Sequence, residues 1–196
     1  MFHDIPAKIR KRMQYLERLD ARHRRTRIKQ FDRLRQIPPA TGKFLAMTAA
    51  SAPEGAVLEI GTSGGYSGMW LSLACRATGR ELTTFEIDDL KFTLAAETFK
   101  SAGVGDVIAQ VKGDARKHLG KYREVGFCFL DAEKAHYQEC FDLVVPNLVK
   151  GGILVADNII SHQEELGRMV RKTMRDKRVD TMIVPIGSGL LLCRKI

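Results

Sequence analysis

No apolar run in the sequence approaches the roughly 20 residues that a membrane-crossing helix needs; the longest are strand-sized. The opening MFHDIPAKIRKR has no apolar core of the signal-peptide kind, so a cytosolic protein without a membrane partner is expected. Cysteine is scarce and scattered. Cys75, Cys128, Cys140 and Cys193 form no C-x-x-C pair, which excludes a zinc knuckle and a dithiol redox motif and leaves reduced, mostly buried thiols. No G-x-G-x-x-G is present, as a dinucleotide fingerprint requires, and no G-K-[S/T] ending of a phosphate loop. The histidines, His136 and His162 among them, lack metal-ligand spacing and read as surface or packing residues. Internal repeats and low-complexity segments are also missing.

Charge is present but confined. Residues 1–43 carry 13 Lys and Arg against 4 Asp and Glu, whereas the rest of the chain carries 19 of each. The basic excess is densest in RHRRTRIK, Arg22 to Lys29, which could follow a polyanion such as RNA or serve as a solvated helix face or dimer contact. At 196 residues, one domain with one sizeable core is expected, with basic helices over 1–50 leading into an α/β core over 51–196.

Helical spacing of Ile9, Met13, Leu16 and Leu19, then Ile28, Phe31 and Leu34, predicts one or two amphipathic helices over 7–36, ended by Pro38-Pro39. A short helix from Thr41 to Ala50 follows. Strand-like runs then occupy 56–61, 81–87, 107–113, 125–131 and 152–157, separated by helix-like segments at 65–78, 88–103, 115–119, 136–149 and 162–176. Such alternation predicts right-handed βαβ units and a parallel sheet with helices on both faces. At the end, VDTMIVPI and GLLLCRKI are separated only by Gly-Ser, which reads as a tight antiparallel hairpin. The sum is an α/β sandwich of about seven mostly parallel strands.

In a doubly wound sheet, ligands sit over the carboxyl ends of the strands. The first strand runs into EIGTSGGYSG, Glu59 to Gly68, whose glycines allow close backbone approach and whose following helix offers N–H groups to an anion. The second ends in Glu86, at the place where an acid grips ribose hydroxyls in such folds. Two further apolar runs, FLDAEKAHY and GGILVADN, end in Asp131 and in Asp157 with Asn158. A buried carboxylate is costly unless paired or metal-bound. A lone acid at a strand end more often caps the next helix, but three oxygen donors at two strand ends beside a glycine loop point to one site.

From about Pro38 onward, VLEIGTSGGYS, FEID, GDA, FLDAEKAHY, GGILVADN and VPIGSGLLL, in that order, resemble the cation-dependent class I O-methyltransferases that use S-adenosylmethionine, the group of catechol and caffeoyl-CoA O-methyltransferases. The resemblance implies a Rossmann-like class I methyltransferase fold and a homodimer formed through the N-terminal helices. It assigns cofactor contacts to Glu59, Gly61, Thr62, Ser63 and Ser67, with Gly61, Ser63 and Ser67 at the methionine part. Glu86 with Ile87 falls at the ribose, Asp114 with Ala115 at the adenine, and Asp131 at the reacting end. Asp131, Asp157 and Asn158 take the positions of metal ligands, an all-oxygen set suited to Mg²⁺, with Mn²⁺ or Ca²⁺ as alternatives. Lys134 takes that of the general base, making Lys134 and Asp131 the catalytic pair. The implied acceptor is a hydroxyl of a small catechol-like or phenolic molecule. The alternative acceptor is a hydroxyuridine of transfer RNA docked on the basic segment, although that segment lacks interleaved aromatics for base stacking. Outside this class, a dinucleotide oxidoreductase and a non-catalytic RNA-binding module fit the strand-end acids less well.

Overall fold

A computed structural model describes residues 2–25 and 34–196. Twelve elements of the core follow one another as β1 (Ala56–Ile60), α3 (Tyr66–Thr78), β2 (Leu82–Glu86), α4 (Asp89–Ala102), β3 (Ile108–Lys112), α5 (Arg116–Leu119), β4 (Val125–Leu130), α6 (Tyr137–Val144), β5 (Leu148–Ala156), α7 (Gln163–Thr173), β6 (Val179–Val184) and β7 (Leu190–Lys195), preceded by α1 (Ala7–Arg25) and α2 (Pro39–Ser51). The seven strands form one sheet in the order β3-β2-β1-β4-β5-β7-β6. Only β7 runs against the others, pairing antiparallel with both β5 and β6. Among the described residues, no helix is long and apolar enough to cross a membrane. The four cysteines are free and buried.

The central strand β4 explains the two-faced core. Its sequence VGFCFL is buried throughout, as a strand covered on both faces must be. Period-2 alternation sends Phe127 and Phe129 into a core with α1 to α4, and Cys128 and Leu130 into a second core with α6 and α7. Helix α1 buries Ile9, Met13 and Leu16 and rests on α3 and α4. Its fit is reinforced by Arg12, which donates to Thr98 Oγ1 at 3.0 Å, and by Tyr66, whose hydroxyl donates to Glu17 at 2.6 Å.

Three expectations are corrected. The helical pattern does not extend through Leu34: residues 34–38 are irregular and Arg35 has a φ of 49°, while Ile28 and Phe31, with the end of the basic run, lie outside the described residues. Pro39 opens α2 rather than only closing what precedes it, because a proline at the first helical position sacrifices an N–H that has no partner there anyway. The terminal hairpin pairs Val184 with Leu190, so its loop is Pro185–Gly189 instead of Gly-Ser. Pro185 has no N–H for the ladder, and the loop turns its carbonyls to another use. Gly189 O accepts from Ile159 N at 2.9 Å, and Ser188 O from Ile160 N and Ser161 N at 3.0 and 3.1 Å. The hairpin thereby props the segment that follows Asn158.

Chain order reverses between β1 and β4, the crevice where such sheets bind ligands. Here the two strand ends touch backbone to backbone: Asp131 N donates to Ile60 O at 2.9 Å, and a Cβ on Gly61, whose φ is +101°, would overlap the Asp131 carbonyl oxygen. Gly61→Ala should therefore lower stability by about 2–3 kcal/mol, read as a shift of the urea midpoint; an unchanged midpoint would show that the contact is relaxed at no cost.

Candidate functional site

A cavity of about 230 Å³ opens over the carboxyl ends of β1, β2, β3 and β4. Its floor begins with the loop after β1. Gly61 N and Thr62 N both donate to Phe85 O, at 3.0 and 3.1 Å, so the loop is laid across the end of β2. Ser63 takes a φ of 47°, and its N–H donates to Glu86 Oε2 at 2.7 Å while its hydroxyl donates to Leu34 O at 2.9 Å. Glu86 Oε1 accepts from Asp88 N at 2.9 Å. Glu86 thus braces the loops after β1 and β2 at once, and it keeps lone pairs for a ligand hydroxyl.

Gly61, Thr62, Ser63 and Ser67 line the cavity on this side, followed by Glu86 and Ile87. Ile87 is 65% exposed, an apolar side chain left open at the cavity wall. Farther along lie Asp114 and Ala115. Arg116 binds the Asp114 carboxylate through Nε and Nη2 at 2.9 and 2.7 Å, and this bonding holds the Asp114 carboxyl below its usual range. Asp131, Lys134 and Asn158 form the opposite wall.

At that wall Lys134 Nζ reaches Asp131 Oδ1 at 3.3 Å, Ala132 O at 3.0 Å and the Tyr137 hydroxyl at 2.9 Å. Tyr137 is fully buried, and burial together with the Asp131 charge pushes its phenol well above the usual value. Asn158 is in the left-handed region at φ 66°, a conformation asparagine tolerates better than most residues, and its side-chain amide donates to Asp131 Oδ1 at 2.8 Å. Asp157 N donates to Leu130 O at 3.0 Å, placing Asp157 beside Asp131 on the next strand. Burial and, second, the Asp131 charge raise the Asp157 carboxyl to about 7.

Two of the expected site residues do not line the cavity: Asp157, which is buried, and Glu59. Glu59 is wholly buried and accepts from Thr84 Oγ1 at 2.6 Å, with the Thr62 hydroxyl a further 2.5 Å from that of Thr84. Burial lifts its carboxyl to about 7 against the opposing pull of the Ser67 and Thr84 hydroxyls. Among the described residues no group of three or more His, Cys, Asp or Glu is arranged to hold a metal ion; the set at the strand ends is two carboxylates and an amide.

Residues 10–196 match the sequence profile of the O-methyltransferase family. The chain belongs to that family. S-adenosylmethionine-dependent O-methyl transfer is the activity this membership carries. Among curated relatives, tapetum-specific methyltransferase 1 of Arabidopsis thaliana is 29% identical over 182 residues, covering 82% of this chain and 78% of that one. The solved structure of the Podospora anserina methyltransferase PaMTH1 bound to S-adenosylhomocysteine aligns with a TM-score of 0.81 at 22% identity, over 98% of this chain and 89% of that one. For the O-methyltransferase TomG of Streptomyces achromogenes, solved with S-adenosylmethionine, the values are 0.79 and 23%, over 98% and 91%. At these identities the structural likeness is one of fold. None of these relatives lends support to an RNA acceptor.

Other residues of this O-methyltransferase reach the cavity although sequence reasoning passed them over. His136 and His162 both line it, which corrects their reading as surface or packing residues. His136 Nδ1 is 3.0 Å from Arg116 Nη1, and His162 Nδ1 is 2.8 Å from Glu165 Oε1. Their signal was nearness in sequence to Asp131 and Asn158, not metal spacing. The segment Leu34 to Ile37 covers part of the cavity and is tied down by a 3.1 Å ion pair between Arg35 and Glu133 and by Gln36 Nε2 donating to Leu16 O at 3.0 Å.

Glu59 generates a pH prediction. Its folded carboxyl titrates near 7 and an unfolded one near 4.3, so the folded state binds the extra proton between those values. The contribution to stability is complete below about 4 and is lost as pH rises through 7, on the order of 3 kcal/mol in all. Glu59→Gln should flatten the decline between pH 5 and 8 in urea denaturation; a slope equal to wild type would contradict the assignment.

Proposed function

We propose that this O-methyltransferase methylates a hydroxyl of a small catechol-like or phenolic acceptor with the help of a divalent cation. The observation that carries the reading is the junction of the cofactor loop with Asp131, Lys134 and Asn158 in one cavity. S-adenosylmethionine supplies an activated methyl on a sulfonium. Gly61, Ser63 and Ser67 hold its methionine part, Glu86 and Ile87 its ribose, and Asp114 and Ala115 its adenine. Glu59 and Thr62 support that loop from below.

The donor set fits a hard cation. Burial and, second, the charge of the neighbouring Asp131 raise the Asp157 carboxyl, and that repulsion would be relieved by positive charge between the two acids. Asp131, Asp157 and Asn158 would hold Mg²⁺, or Mn²⁺ or Ca²⁺, through oxygen, the Asn158 amide turning its carbonyl oxygen inward. Such an ion lowers the pKa of a hydroxyl that it coordinates. Lys134, beside Asp131, would accept the hydroxyl proton in its neutral amine form. The acceptor oxygen then forms a bond to the methyl carbon as the carbon–sulfur bond breaks, leaving S-adenosylhomocysteine. Because an anion and a sulfonium are both neutralised, exclusion of water by the Leu34–Ile37 segment favours the step, and alignment is the protein's main task.

Transfer of labelled methyl from S-adenosylmethionine to a simple catechol, with Mg²⁺ or chelator and with unmodified transfer RNA in parallel, tests the reading. Chelator-sensitive labelling of the catechol is expected; labelling that persists in chelator would remove the cation, and labelling of RNA alone would overturn the acceptor. Asp157→Ala should cost roughly a hundredfold or more in turnover, with S-adenosylhomocysteine binding weakened much less. For Lys134→Ala the expected loss is about 10²- to 10⁴-fold, partly recovered at high pH; a pH-independent loss would make Lys134 a positioning group instead.

A further inference from the structure

Arg116 stands where three segments meet on one wall of the cavity. Besides its two bonds to Asp114, Nη1 donates to Glu139 Oε2 at 2.7 Å and lies 3.0 Å from His136 Nδ1. A guanidinium has donors only and does not lose its proton, so Nδ1 of His136 must be the acceptor. The imidazole proton is therefore on Nε2. His136 lines the same cavity as Asp114 and Ala115, and with Nδ1 taken by Arg116 its Nε2–H is the ring donor left for a ligand there.

Asp114 offers the complementary group. A carboxylate has about four lone-pair sites, and three Arg116 N–H groups point at them: N at 3.0 Å and Nε at 2.9 Å on Oδ1, and Nη2 at 2.7 Å on Oδ2, with Nε shared to Oδ2 at 3.1 Å. Three hydrogens for four sites leave Oδ2 able to take a ligand hydrogen in place of the long, shared Nε contact. A donor and an acceptor side by side match the edge of adenine, where the exocyclic amine lies next to a ring-nitrogen acceptor. The third partner, Glu139, is half-exposed and holds Arg116 from outside the cavity.

We propose that His136, fixed as the Nε2–H tautomer by Arg116, is a cofactor-binding residue that donates to the adenine ring nitrogen beside the amine, while Asp114 accepts from the amine. The proposal rests on the reading of S-adenosylmethionine as methyl donor. Arg116 acts through His136 and Asp114 and is a positioning residue. The arrangement makes the site read the base, not only its flat face.

Calorimetric binding of S-adenosylhomocysteine and of its 1-deaza and 7-deaza analogues, each lacking one ring acceptor, tests this without catalysis. Wild type should bind one of the two analogues roughly two- to tenfold more weakly than S-adenosylhomocysteine. His136→Phe should bind S-adenosylhomocysteine weaker by a similar factor and no longer distinguish it from that analogue. His136→Gln, which keeps an N–H, should retain part of the distinction, and Arg116→Met should shrink it, a change of ratio that general loss of structure does not produce. Equal binding of all three ligands by wild type, or full discrimination by His136→Phe, would overturn the proposal. Absence of S-adenosylhomocysteine binding in wild type would instead overturn the donor reading beneath it.

Discussion

The close backbone approach of Gly61 to the Asp131 carbonyl is the constraint on which the rest of the site depends. It joins the end of β1 to the end of β4, so the glycine loop after β1 and the loop that carries Asp131 and Lys134 cannot move independently. A side chain at position 61 would force them apart. The Asp131 N–H to Ile60 O bond on one side and the Asp157 N–H to Leu130 O bond on the other extend the junction to β5. The three strand ends are thereby tied into one ladder, with Asp131 and Asp157 on neighbouring strands.

Buried charge around this junction is distributed in a consistent way. Asp131 is satisfied by Lys134 and the Asn158 amide. Asp157 has a backbone N–H from Asn158 at 2.7 Å and remains raised by burial and by its neighbour. Glu86 and Asp114 are occupied largely by protein donors. Glu86 and Asp114 are thus held in place by protein donors, whereas Asp157 lies buried beside Asp131 with its carboxyl raised, a pairing that positive charge between the two would relieve. In the proposed reaction, transfer from a sulfonium needs little covalent help from the protein, and the braced acids at one end and the raised one at the other would serve orientation and activation respectively.

Most of the fold was legible because apolar runs of strand length alternate with helical periodicity, and β4 is the clearest case: a short continuous apolar run of strand length is what a strand covered on both faces requires. The strand-end acids were legible for the same reason, since a carboxylate closing such a run is conspicuous. Less visible were features created by tertiary neighbours. Leu34 continues a helical pattern in sequence, yet residues 34–37 border the cavity because Ser63, Glu133 and Leu16 bind them there. The loop Pro185–Gly189 looks like a two-residue turn until its carbonyls are seen to hold residues 159–161. Glu59 belongs to the glycine loop by sequence, but strand alternation turns it beneath that loop. His136 and His162 follow no metal-ligand pattern, and their places come from Arg116 and Glu165 across a turn and along a helix.

The central claim is that the ends of β1, β4 and β5 form one site for cofactor and cation. Its most direct test is a crystal grown with S-adenosylhomocysteine and Mn²⁺ and measured for anomalous scattering. The account predicts the cofactor along the loop from Gly61 to Ser67, with an anomalous peak within coordination distance of Asp131, Asp157 and Asn158 oxygens. Cofactor in that loop with no peak at those residues would contradict the cation, and cofactor density elsewhere would contradict the site itself.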